Sequence, residues 1–268
     1  MPADYSWTFS PGALAAVGLA GFLYVRRWRR ARTEAGPAAA SALRLASFLG
    51  GLGMLLAAYV SPVERLGEQL FLMHMVGHIL VLDLASILLI LGLTRVLLRP
   101  VTRRVQRLER AAGPLAHPAF AIVLYAGGMA LWHLPPVYDA ALEHPALHGL
   151  EHLTFAAAGG LYWWHLLSPI RSRHRLGGLG PVAYMAITKV LVGLLGIVLT
   201  FSPEVLYDFY AQRPRHWGLS ALTDQNVGGA LMALEQSLVM GVALVVLFMR
   251  TLRESEADQQ RAERHGPT

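Results

Sequence analysis

Leu70-Phe71-Leu72-Met73-His74-Met75-Val76-Gly77-His78-Ile79-Leu80-Val81-Leu82-Asp83-Leu84-Ala85-Ser86-Ile87-Leu88-Leu89-Ile90-Leu91-Gly92-Leu93 is the stretch that decides the fold. It carries one carboxylate, Asp83, and neither lysine nor arginine. A helix crosses the hydrocarbon of a bilayer with roughly 20 mainly apolar residues, and this segment is long enough. Six further apolar runs extend the pattern: near residues 9–25, 41–60, 118–134, 147–168, 181–202 and 226–249. The expected fold is therefore all-α, a polytopic membrane bundle of about seven transmembrane helices. Residues 1–253 form the membrane domain, and 254–268 form a polar cytoplasmic tail that is either a frayed helix or disordered.

Composition agrees. Of the 268 residues 54% are hydrophobic and 15% charged, against roughly a quarter charged in soluble domains. A net charge of +6 would suit nucleic acid, but the arginines fall in short connections between apolar runs, so no nucleic-acid partner is expected. The first apolar run is followed, not preceded, by Arg26, Arg27, Arg29, Arg30 and Arg32. A signal peptide has the opposite order, and the run is read as a helix.

Arginine placement also sets the orientation. Alternate connections, together with the tail, hold 19 arginines against 3 on the other side. Positively charged loops stay in the cytoplasm, so the amino terminus and the loops near Pro62, Pro135 and Arg213 are expected outside and the carboxyl terminus in the cytoplasm. The compartment implied is a bacterial plasma (inner) membrane.

Histidine is the informative residue type, with eleven in the chain. His74 and His78 open the third span from outside, His133 closes the fourth, and His148 and His152 open the fifth. Both His74/His78 and His148/His152 are i,i+4 pairs, which put two imidazoles on one helix face; Met129 and His133 share that spacing. There is no cysteine, so a metal would be held by His, Met, Asp or Glu. Imidazole suits copper, zinc, iron and nickel, and thioether sulfur favours Cu(I). A lone histidine at a helix end is an ordinary interfacial group. Two pairs and His133 at one depth point instead to a metal site of His74, His78, His133, His148 and His152, with copper as the metal. Asp83 and Lys189 reach similar depth from opposite sides, and an isolated buried charge is costly. They are expected to form a buried ion pair, with Glu235 a second partner for Lys189. In a regular helix Asp83 lies about 180° from His74 and so belongs to a different site.

Beyond these spacings, the chain resembles a known family. His74-Met75-Val76-Gly77-His78, Trp132-His133-Leu134-Pro135-Pro136-Val137-Tyr138-Asp139-Ala140-Ala141-Leu142, Leu147-His148-Gly149-Leu150-Glu151-His152-Leu153-Thr154-Phe155, Tyr162-Trp163-Trp164 and Leu222-Thr223-Asp224-Gln225-Asn226-Val227-Gly228-Gly229-Ala230-Leu231-Met232 carry the likeness. Together they resemble the seven-helix assembly factors of the CtaG type, described for bacterial caa-type cytochrome c oxidases. Gly77 stands where that family usually has Gln, and Asp83, Ala85 and Ser86 where a Pro-containing stretch is common. The resemblance implies a non-enzymatic role in maturing a haem–copper oxidase, with an oxidase subunit or another copper carrier as partner. A copper transporter or copper-resistance membrane protein, and a haem-binding membrane protein, are the alternatives. Nothing resembles a nucleophile–base arrangement, a GxGxxG loop or a P-loop.

Overall fold

The computed structural model describes residues 2–264, and among them every regular element is helical. The long elements are α1 (Pro11–Ala35), α2 (Ala42–Tyr59), the short α3 (Pro62–Gly67), α4 (Phe71–Gly92), α5 (Thr102–Ala116), α6 (Pro118–Trp132), α7 (Pro135–Glu143), α8 (Pro145–Leu167), α9 (Gly180–Phe201) and α10 (Ala221–Arg264). Proline occupies the first turn of α1, α3, α6, α7 and α8, where its missing N–H costs nothing. Ser41, Ser61 and His117 cap α2, α3 and α6 by accepting bonds from Arg44 N, Val63 N and Ala119 N.

By length and composition four helices can cross a membrane: α2, α4, α9 and the Ala221–Met249 part of α10. The α5–α6 pair makes a fifth if it is one bent span, with 68° between its halves at His117. The expected first and fifth spans are helices at the expected places, α1 and α8, but both are too polar to meet that measure. Arginines crowd the second half of α1; His148, Glu151, His152 and His165 interrupt α8. The seventh helix runs on through the expected tail as far as Arg264; the rest of the tail, 265–268, lies outside the described residues.

The central helix is α4. It packs against α2, α8 and α10, and half of its length is buried. The tightest crossing is with α8, where a Cβ on Gly159 would meet the carbonyl oxygen of Leu82 and, at 2.8 Å, Ser86 Oγ. Close backbone approach through small residues is the usual means of joining helices in lipid. A second such contact, at Gly196 and Gly229, joins α9 to α10. Two helices carry π-turns, Leu80–Ala85 in α4 and Val123–Gly127 in α6. These turns face one another, for Tyr125 from one donates to Asp83 in the other.

The Gly159 contact yields a direct test. Gly159→Ala should cost about 1–3 kcal/mol or more and sharply lower the yield of monodisperse protein on size-exclusion chromatography. Gly160→Ala, with nothing within 4 Å of the added methyl, should purify as wild type.

Candidate functional site

At the arginine-poor end of the bundle the first turns of α4 and α8 lie side by side. His74 and His78 project from α4 with ring centroids 4.3 Å apart, and His148 and His152 project from α8 at the same spacing. The pairs face each other: His74 is 5.5 Å from His148 and 6.4 Å from His152, and His78 is 6.2 Å from His152. His133, where α6 ends, brings its ring within 5.7 Å of His78. All five histidines expected from spacing are thus in one cluster. His74, His78 and His133 are buried, whereas His148 and His152 are half-buried and form its rim.

Two carboxylates complete the cluster, and neither was expected there. Glu151, buried in α8, places Oε1 3.3 Å from His78 Nε2 and 3.7 Å from His74 Nε2. Glu64, on α3, lies 3.9 Å from His148 Nδ1. Glu64, His148 and His152, and likewise His74, His148 and Glu151, each offer donor atoms within 4.8 Å of one another. The signal for Glu151 was available: an acid inside an apolar run, between His148 and His152. Glu64 carried none, because α3 is a polar connection. Around His133 the expected methionine is exchanged. Met129 contributes its carbonyl, 2.8 Å from Nδ1, and the nearby thioether is Met75 Sδ, 3.4 Å from Nε2. His144 is exposed and sits against its own helix at Ala140 O; it takes no part.

Side chains from neighbouring helices hold this end together. Asp224, at the start of α10, accepts from the N–H groups of Phe71 and Leu72 at 2.7 and 3.0 Å, capping α4 from another helix. Asp139 does the same for the turn Asp208–Ala211, accepting from Asp208 N and Phe209 N. Tyr138, Tyr207, Tyr210 and Phe71 form a buried aromatic wall beside His74.

Buried polar atoms normally find partners inside the protein. Here Nε2 of His74, both ring nitrogens of His78, Nε2 of His148 and both carboxylate oxygens of Glu151 make no hydrogen bond. Each neutral imidazole has one basic nitrogen, so His74, His78 and His148 bring one lone pair apiece to the carboxylate of Glu151, with only the long His74–Glu151 and His78–Glu151 contacts between them. That donor set fits a first-row transition ion held by N and O ligands. Metal–nitrogen bonds of about 2.0–2.1 Å would require modest closure of the side chains.

The second expected feature is corrected. Lys189 is exposed on α9 and, among the described residues, makes no ion pair. Asp83 is instead satisfied by neutral donors: Tyr125 OH at 2.7 and 2.8 Å, Trp163 Nε1 at 2.7 Å and Gln236 Nε2 at 3.4 Å. Gln236 also donates to Glu235 at 3.1 Å, so two carboxyl groups share the site. Asp83 keeps a polar cluster of its own, as expected, but the π-turn changes the face it shares with the histidines. A regular helix turns about 100° per residue; the extra residue in Leu80–Ala85 takes back about one such step. Asp83 and His78 then line the same internal cavity.

With that geometry in place, comparison with known proteins is informative. A family model described as cytochrome c oxidase caa3 assembly factor (Caa3_CtaG) matches residues 22–254. The chain belongs to this family. Similar proteins include ML1998 of Mycobacterium leprae (strain TN), 24% identical over 83% of this chain and 36% of its own length. Mb0105 of Mycobacterium bovis is 26% identical over 95% of this chain and 40% of its own length. The chain thus spans less than half the length of these relatives. No solved structure matches at a significant level. The family match covers α2 to α9 whole, and with them every member of the histidine cluster.

Glu64 provides a pH test. Burial is the main cause that pushes its carboxyl up to about 7, from an ordinary value of 4.5, and nearby His74 opposes the shift. The folded state therefore keeps a proton that the unfolded state releases between these values, so this group's contribution to stability falls as pH rises across that window. Glu64→Gln mimics the protonated form. It should raise the thermal unfolding midpoint of metal-free, detergent-solubilised protein at pH 8 and leave it unchanged at pH 5. A midpoint raised equally at both values would contradict the assignment.

Proposed function

We propose that the protein is a non-enzymatic assembly factor for a haem–copper cytochrome c oxidase, which holds copper at the outer face of a bacterial plasma membrane and passes it to an oxidase subunit or another copper carrier. The observation that carries this reading is the convergence of five imidazoles and two carboxylates, among which His74, His78, His148 and Glu151 hold buried polar atoms without hydrogen bonds. Membership of an oxidase assembly family supports the destination; the donor chemistry supports the cargo. The site is graded from rim to interior. Half-buried His148, His152 and Glu64 meet an incoming ion, and buried His74, His78, His133 and Glu151 hold it. Ligation needs neutral imidazole and ionised carboxylate. Glu151, close to His74 and His78, balances the charge of a bound cation.

In this reading seven helices span the membrane, with α1 and α8 crossing despite their polar residues. The histidines and Glu151 of α8 face its neighbours, and the arginines of α1 reach the cytoplasmic headgroups. The 19-to-3 division of arginines supports an outer location for the cluster. A reporter active only outside the cytoplasm should work when fused after Ser61 or Pro136 and fail after Arg104 or Arg173; the reverse pattern would overturn the orientation.

Copper retention tests the mechanism. His152→Ala and Glu151→Gln should each weaken copper retained by purified protein by at least the roughly 10–100-fold typical of losing even an outer-shell partner. In cells, each should lower the activity of a copper-containing oxidase while its polypeptide and haem remain. Wild-type copper content in both variants would sink the proposal.

A further inference from the structure

We infer that the middle of the bundle holds a second metal site, separate from the outer histidines, which takes a desolvated soft monovalent ion such as Cu(I) on the thioethers of Met75, Met129 and Met232 with the carboxyl group of Glu235. These four side chains come from α4, α6 and α10 and line one internal cavity, with Gln236 and His78 at its wall. All three methionines are buried.

Four observations point to a cation. The polar atoms without partners are Glu235 Oε1, Gln236 Oε1 and the ring nitrogens of His78, every one a potential electron-pair donor. Asp83 is already occupied by Tyr125, Trp163 and Gln236, whereas Glu235 keeps one carboxyl oxygen, Oε1, without a partner. No lysine or arginine lines the cavity. Its volume is about 10 Å³, at the lower limit for a single water, so a hydrated ion is excluded and a bare one admitted. A bare ion must find protein donors in place of its waters. Thioethers provide these for Cu(I) but not for Na⁺, K⁺ or Mg²⁺. A water molecule could satisfy Glu235 and Gln236 but would give the sulfurs of Met129 and Met232 nothing to bind; Met75 Sδ already faces His133 Nε2.

The site also has a route in. Met75 Sδ lies 3.4 Å from His133 Nε2, and His78 belongs both to the outer cluster and to this cavity. Donors thus change from nitrogen and oxygen at the rim to sulfur inside. The choice of copper as the ion rests on the reading of the outer cluster; the inner donor set does not.

The chain has no cysteine, so any sulfur bound to metal must be methionine. Full-length protein in detergent would be loaded anaerobically with Cu(I), and its first coordination shell read by X-ray absorption. Wild type should show both nitrogen or oxygen and sulfur neighbours. Met129→Leu/Met232→Leu, which conserves volume, should lose the sulfur signal and about one copper per chain while keeping the nitrogen-bound ion. His148→Ala/His152→Ala should do the reverse, and its sulfur signal would survive even if the outer reading were wrong. Should the double methionine variant fold poorly, Met232→Leu alone must lower the sulfur count by one. A wild-type shell of nitrogen and oxygen only, as expected for a cavity that holds just water, would overturn the inner site. So would a sulfur signal unchanged in Met129→Leu/Met232→Leu.

Discussion

Everything polar in this bundle depends on how closely α4 and α8 approach. At Gly159 the two backbones are in contact, with the Leu82 carbonyl where a side chain would otherwise stand. Eight residues back along α8, about 12 Å, Glu151 reaches His74 and His78. Four residues forward, about 6 Å, Trp163 donates to Asp83. One crossing therefore positions two polar clusters, one on either side of it. A larger residue at 159 would separate the helices and loosen both. Lipid provides no hydrophobic drive between helices, so van der Waals contact and hydrogen bonds of this kind have to hold them.

Buried lone pairs are expensive, and this protein has collected many. Structural histidines in membrane interiors usually spend both ring nitrogens on carbonyls or carboxylates. His133 does so in part, through Met129 O, and by doing so directs its other nitrogen toward Met75. The ring of His78 makes no hydrogen bond, and Glu151 Oε1 stands 3.3 Å from its Nε2. The neutral cage around Asp83 has a different character: phenol, indole and amide satisfy the carboxylate without a counter-ion.

Most helices were legible because apolar runs and proline starts are local signals; the observed ends of α2, α4, α8 and α9 fall within two residues of those read from the sequence. The histidine faces were legible for a similar reason, since i,i+4 spacing holds in any regular turn. What stayed hidden depends on departures from regularity or on distant chain. A π-turn, which nothing in Leu80–Ala85 announces, puts Asp83 on the cavity that His78 also lines, and Lys189 lies exposed on α9. Glu64 enters the cluster from a short helix in a connection, and only tertiary packing could place it there. The polarity of α1 and α8 shows the converse. Both were read as spans from their apolar residues, although their arginines and histidines make them less apolar than α2, α4, α9 and the Ala221–Met249 part of α10.

The cap on α4 has a consequence for biogenesis. The N–H groups of Phe71 and Leu72 are satisfied by a side chain 153 and 152 residues further along the chain. Helices emerge from the ribosome in order, so α4 enters the membrane long before Asp224 is made. Until the last helix arrives, the first turn of α4, which carries His74, has no side chain to close it. The turn that carries His74 is thus closed only once α10 has been made. A nascent or truncated chain that lacks α10 would leave the first turn of α4 without its cap.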